Sequence, residues 1–179
     1  MIMPERGELC TIAWDAETAS IIYIDQTLLP SRCEQMRCTT VEDLARAIRR
    51  LEVRGAPALG IAGAMGVALA AVRSTEADLG RFLAEVGRAA DLLRSTRPTA
   101  VNLAWGIDRV ARKVAMAASV DEAKALAVAE ANAVAEEDEL TCRRLGAFGE
   151  ELFPTACTAL THCNAGALAC RCWGTALGV

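Results

Sequence analysis

Histidine is nearly absent, with one residue in 179, and aromatic side chains make up only 4% of the chain. The first shortage leaves no histidine cluster for a metal centre or proton relay. The second means a core built mainly from Ala, Leu, Val and Ile, whose small side chains let helices approach closely. Positive charge is not in excess either. Nineteen Lys and Arg against 23 Asp and Glu give a net charge of −4, which argues against general affinity for nucleic acid. A local pocket for a phosphorylated small molecule remains compatible with that balance. Met1–Glu8 is polar and too poor in apolar residues for a secretory signal. The eight cysteines contain no Cys-x-x-Cys pair, the spacing of zinc and redox motifs. Reduced thiols in a cytoplasmic protein, most of them buried as small hydrophobes, are therefore expected.

What is present is a globular composition, 53% hydrophobic and 23% charged. The longest uncharged run, Gly55–Val72, sits at the bottom of the membrane-spanning range. It is rich in Gly and Ala, so a buried core helix is expected there, and no membrane partner.

Two β-prone segments, Cys10–Trp14 and Ser20–Asp25, are compatible with a hairpin, and Gln26–Pro30 ends that unit. Helices follow. Thr40 caps one in which Val41, Leu44, Ala45, Ile48 and Leu51 recur at helical spacing. The loop Val53–Ala56 leads to Pro57, a residue favoured in a first helical turn. Gly60, Gly63 and Gly66 in that helix each cost roughly 1 kcal/mol relative to alanine, which predicts a stripe where another backbone comes close. Thr75 with Asp78 opens a third helix and Pro98 a fourth. Ser119-x-x-Glu122 caps a fifth that runs to about Leu145 and stops at Gly146. After Pro154 the pattern changes to a β-prone run, Thr155–Thr161, then a glycine turn and an apolar segment. The fold class expected is α+β: a helix-rich domain over residues 1–149 with a small antiparallel β element, followed by residues 150–179 as the first strand, turn and helix of an incomplete Rossmann-like α/β domain.

Two loops share a design. Arg54-Gly55-Ala56-Pro57 and Arg97-Pro98-Thr99 each place an arginine just before a proline-started helix. Backbone N–H groups and the helix dipole favour an anion there, and a flanking arginine adds a charge-assisted contact to phosphate. The plain alternative is two ordinary helix starts with solvated arginines. Cys163 precedes an expected helix, a position that favours thiolate; a structural thiol is the alternative.

The strings DQTLLP (Asp25–Pro30), VRGAPALG (Val53–Gly60), TRPTAVNL (Thr96–Leu103), LTHCNAGALA (Leu160–Ala169) and GTALGV (Gly174–Val179) occur in this order. Together they resemble methylthioribose-1-phosphate isomerases, relatives of the initiation factor 2B regulatory subunits and of ribose-1,5-bisphosphate isomerases. The resemblance implies an aldose–ketose isomerisation of 5-methylthioribose 1-phosphate in methionine salvage. It implies substrate contacts at Arg54, Gly55, Ala56 and Arg97, and a catalytic cysteine at Cys163. It further implies no metal or organic cofactor, a sugar-phosphate partner, and a homodimer. The family's acid–base aspartate lies further on than Val179, so the resemblance implies a fragment that is inactive alone. A non-catalytic assembly module related to the initiation-factor subunits, or a ribose-1,5-bisphosphate isomerase, are the other readings it allows. One stretch departs from the family: Cys170-Arg171-Cys172-Trp173 stands where small residues and a tyrosine are usual.

Overall fold

The computed structural model describes residues 10–179. Three antiparallel strands come first: β1 (Ile12–Asp15), β2 (Ser20–Ile24) and β3 (Gln35–Cys38), in the order β1-β2-β3. Ile12 lies opposite Tyr23, and Ile21 opposite Cys38. The expected hairpin is β1–β2. Its turn is closed by Asp15, whose carboxylate accepts from the Glu17 N–H at 3.1 Å and the Thr18 hydroxyl at 2.7 Å. The third strand is a finding that the sequence pattern concealed. Gln35, Met36 and Arg37 are exposed and only Cys38 is buried, so no alternation marks it.

Five helices follow: α1 (Val41–Arg49), α2 (Ala56–Arg73), α3 (Leu79–Thr96), α4 (Val101–Val114) and α5 (Val120–Glu150). Thr40 caps α1 by accepting from the Asp43 N–H at 3.2 Å, and Ser119 caps α5 by accepting from Glu122. These caps, and the helix-rich body with its small sheet, are as expected from the pattern.

Helix α2 is the axis of the fold. Every residue from Ala58 to Ala71 is buried, ringed by α1, α3, α4, α5 and the sheet. It is long and apolar enough to cross a membrane, yet 78% of that stretch is buried inside the protein. Its glycines explain the fit. A Cβ on Gly63 would stand 2.7 Å from the Leu103 carbonyl oxygen of α4, and one on Gly60 would stand 3.2 Å from that of Asn102. Gly106 of α4 answers from the other side, 2.0 Å being all the room a Cβ would have to the Gly60 oxygen. Gly66 meets side chains instead, Leu93 and Leu44, so the backbone approach expected of all three glycines is made by two.

Three helix ends differ from expectation. Helix α3 is capped by Asp78, whose carboxylate accepts from the Arg81 N–H at 2.9 Å, and not by Thr75. Helix α4 begins at Val101, because Arg97–Ala100 closes a turn through a 2.9 Å bond from the Ala100 N–H to the Arg97 carbonyl. Pro98 occupies the second position of that turn, where its fixed φ is equally at home. Helix α5 runs through Gly146 to Glu150. A Cβ on Gly146 would sit 2.6 Å from the Gly178 carbonyl oxygen, so this glycine admits a neighbouring segment rather than ending the helix.

The tail is where the structure departs most from the pattern. Residues 151–164 are exposed and irregular, and Thr155–Thr161 forms no strand. A parallel strand needs neighbours to satisfy its N–H and C=O groups, and none of the described residues supplies one. In place of the expected helix there are two single 3₁₀ turns, Ala167–Ala169 and Ala176–Gly178, joined by an isolated Gly166–Gly174 bridge.

Candidate functional site

The loop between α1 and α2 is built to hold its shape. Leu51 adopts φ 64°, and its N–H bonds to the Ile48 carbonyl at 3.2 Å while that of Glu52 bonds to Ala47 at 3.0 Å. These two bonds close the helix end in the Schellman manner. Glu52 is then fixed by the Tyr23 hydroxyl, which donates to Oε2 at 2.6 Å, and by Arg50 at 3.3 Å. Gly55 caps α2 at φ 99°, a conformation reserved for glycine. A Cβ there would fall 2.5 Å from the Ala169 Cα, so Gly55 is needed for both its torsion and its lack of bulk.

Gln26 is the hub that sequence reasoning missed. Its backbone N–H bonds to the Glu52 carbonyl at 3.1 Å. Its side-chain amide donates to the Leu168 carbonyl at 2.8 Å, and its Oε1 accepts from Arg54 Nε at 3.3 Å. One buried amide thus ties the Arg54–Gly55 loop to the segment that follows Cys163. The available signals were its place at the end of a β-prone run and in the string Asp25–Pro30, neither of which assigns the glutamine a role.

Two cavities adjoin this loop. Arg54 lines one of about 330 Å³ with Gln26, Thr27, Leu29, Arg50 and Leu51. The other, about 320 Å³, follows the α2–α4 seam and is lined by Pro57, Gly60, Asn102, Trp105, Glu137, Asp138 and others. Its far wall is acidic. Arg109 grips Glu137 through both oxygens and Glu130 through Nε at 2.6 Å, and the Arg109 hydrogen bond holds the Glu137 carboxyl below its ordinary range. Burial pushes Asp138 upward. An anionic ligand is therefore favoured at the helix starts, not at the α5 wall.

The residues singled out by sequence are partly assembled. Arg54, Gly55 and Ala56 stand together at the start of α2. Arg97, half-buried, lies in the turn before α4. The seam brings the two starts to one end of the molecule, since Gly60 and Asn102 touch within a few residues of each. Arg97 borders neither cavity. Cys163 is exposed in irregular chain at φ 67° and also borders neither.

Among the described residues, Asp138, Cys142 and Cys170 offer one cluster with metal-ligand character, their donor atoms lying within 4.8 Å of one another. The Arg171 N–H already donates to Asp138 at 2.8 Å, and the Arg171 guanidinium pairs with Glu139 at 3.3 Å. A cation would compete with that charge. Four of the eight thiols are buried: Cys38, Cys142, Cys170 and Cys172.

Residues 52–179 match the initiation factor 2 subunit family, and the chain belongs to it. Within that family the likeness is to sugar-phosphate isomerases as well as to initiation-factor subunits. A protein of Methanosarcina acetivorans described as a putative methylthioribose-1-phosphate isomerase is 46% identical over all of this chain and 51% of its own length. The crystal structure of 5-methylthioribose 1-phosphate isomerase from Pyrococcus horikoshii superposes with a TM-score of 0.86 at 39% identity, covering 92% of this chain and 46% of that one. That of translation initiation factor eIF-2B, subunit delta, from A. fulgidus gives 0.87 at 49% identity, covering 95% and 49%. The chain spans about half the length of these relatives.

Proposed function

We propose that this chain is the substrate-gripping half of a methylthioribose-1-phosphate isomerase. The observation that carries the proposal is the meeting of two helix starts across the Gly60–Asn102 contact, with Arg54 next to the first and Arg97 in the turn that leads into the second. Arg54 and Arg97 supply charge-assisted contacts to the phosphate, and the exposed N–H groups at Gly55 and Ala56 add main-chain donors. The glycine lets the Ala169 main chain pack against the loop, which holds the start of α2 in place. Cys163 is the catalytic thiol, and residues 150–179 open a second domain whose remaining strands pair with Thr155–Thr161 and bring Cys163 to the pocket. The whole protein works as a homodimer without metal or organic cofactor.

The chemistry explains such a site. Phosphate on the anomeric carbon blocks the spontaneous ring opening available to unphosphorylated sugars. The enzyme must assist opening and then move hydrogen from C2 to C1, which requires a positioned acid–base group and a pocket closed to water. The carboxylate for that step lies outside this chain, so the chain alone is inactive.

The test uses the full-length protein and methylthioribose 1-phosphate. Turnover is expected, with Cys163→Ser lowering kcat by about 10²–10⁴-fold. Arg54→Ala and Arg97→Ala should each lower kcat/KM by roughly 10–100-fold, the worth of one hydrogen bond to a charged group. Full turnover in either arginine variant would refute the phosphate assignment. A full-length protein that neither binds nor converts the sugar phosphate, yet assembles with other subunits, would favour the non-catalytic reading instead.

A further inference from the structure

Independently of that reading, the two ends of the described chain meet through sulfur. The Cys172 thiol donates to Cys10 with the sulfurs 3.2 Å apart, although 162 residues separate them. Their backbones touch as well. The Thr11 N–H bonds to the Arg171 carbonyl at 2.7 Å, one residue along from each cysteine.

We propose that Cys10 and Cys172 form a reversible disulfide, made by exchange with a low-molecular-weight disulfide. It ties the entry to β1 onto the segment that backs the Gly55 loop.

The surroundings select this pair. Cys172 donating to Cys10, together with the charge and hydrogen bond of Arg171, holds the Cys10 thiol below its ordinary value, while the same contact and burial raise Cys172. Arg171 Nε is buried with no other partner, so it is placed to receive a thiolate. Cys142 and Cys170, the other close pair, are both raised, burial being the main cause, and stay protonated.

The exchange balances in two steps. Cys10 thiolate attacks one sulfur of the reagent, forming a mixed disulfide and releasing one small thiolate. Cys172 then attacks the Cys10 sulfur and releases the second; the two protons lost by the cysteines are taken up as two small thiols. The reagent is reduced by two electrons and the protein oxidised by two. The product fixes Ala167–Cys172, whose Ala167 carbonyl already accepts from the Thr11 hydroxyl at 2.9 Å.

The protein is incubated with oxidised glutathione, its remaining thiols are alkylated, and a tryptic digest is read by mass spectrometry. The expected product joins peptide Gly7–Arg32 to peptide Cys172–Val179. It should form at least about tenfold faster in the native protein than in urea, because the fold holds the thiols together. It should be absent in Cys10→Ser and in Cys172→Ser, and persist in Cys142→Ser with Cys170→Ser. Closing so long a loop should raise Tm by roughly 5–15 °C over the reduced protein. A stable glutathione adduct on Cys10 with no linked peptide would overturn the proposal. So would a Cys142–Cys170 link in its place, or equal rates in native buffer and urea.

Discussion

Helices α2 and α4 touch most closely at Gly106, and that contact sets a severe limit on its side chain. A Cβ there would stand 2.0 Å from the Gly60 carbonyl oxygen and 2.8 Å from the carbonyl carbon, where ordinary contact begins at 3.4 Å. Gly106→Ala must therefore push the helices apart by roughly 1 Å or more, and α2 has nowhere to go because it is buried on every face. Overpacking of this kind costs about 1–3 kcal/mol, and the contact is backbone, which cannot swing aside, so the upper end applies. Alanine returns up to about 1 kcal/mol through helix propensity. The net loss is about 2 kcal/mol, or a fall in Tm of roughly 4–8 °C for a chain of this size. The control is Gly87→Ala on the exposed face of α3, where a Cβ would meet nothing within 4 Å; it should gain about 0.5–1 kcal/mol. Thermal and urea unfolding followed by far-UV circular dichroism measures both. If Gly106→Ala were as stable as the wild type, the close seam would not exist and the reading of the glycine stripe would fail with it.

Tyr23→Phe deletes the hydroxyl that donates to Glu52 at 2.6 Å in a buried setting, and should cost about 1–3 kcal/mol in urea unfolding; an unchanged midpoint would show that Glu52 is not held this way. Asp15 offers a pH test. Its hydrogen bond from Thr18, and then Arg37, hold the carboxyl at about 2 rather than the ordinary 3.8. The folded form therefore binds its proton less readily than the unfolded form. The stabilisation is complete above about pH 4 and is lost as the pH falls towards 2. Unfolding midpoints of wild type and Asp15→Asn should differ at neutral pH and draw together near pH 2; parallel curves would contradict the assignment.

Local signals were legible wherever one short segment carries its own physics. Thr40 and Ser119 caps, the hairpin, and the helical spacing of α1 are all written in neighbouring residues. What stayed hidden depends on partners far along the chain. Gly146 has the chemistry of a helix stop, yet a segment more than thirty residues on makes it a close-packing site. Pro98 suits a helix start and a turn equally, and only the Arg97–Ala100 bond decides between them. In the candidate site, Arg54, Gly55 and Ala56 were readable from a glycine and proline at a helix start. Gln26 was not, because its role consists of bonds to residues 26 and 142 positions away. The strand expected at Thr155–Thr161 has the right composition and lacks neighbours among the described residues, a condition that no reading of the segment itself reveals.

The return of residues 167–171 to the start of β1 also has a bearing on time. Thr11 finds its partners Ala167 and Arg171 more than 150 residues later. At synthesis rates of about 5–20 residues per second, the leading edge of the sheet waits roughly 10–30 s before the segment that covers it exists. During that interval α1 to α5 can assemble around α2, while Thr11 faces solvent or any other strand edge nearby. Closing that edge accordingly waits on a segment that emerges only after α1 to α5, and until then the nascent protein is open to wrong partners at β1.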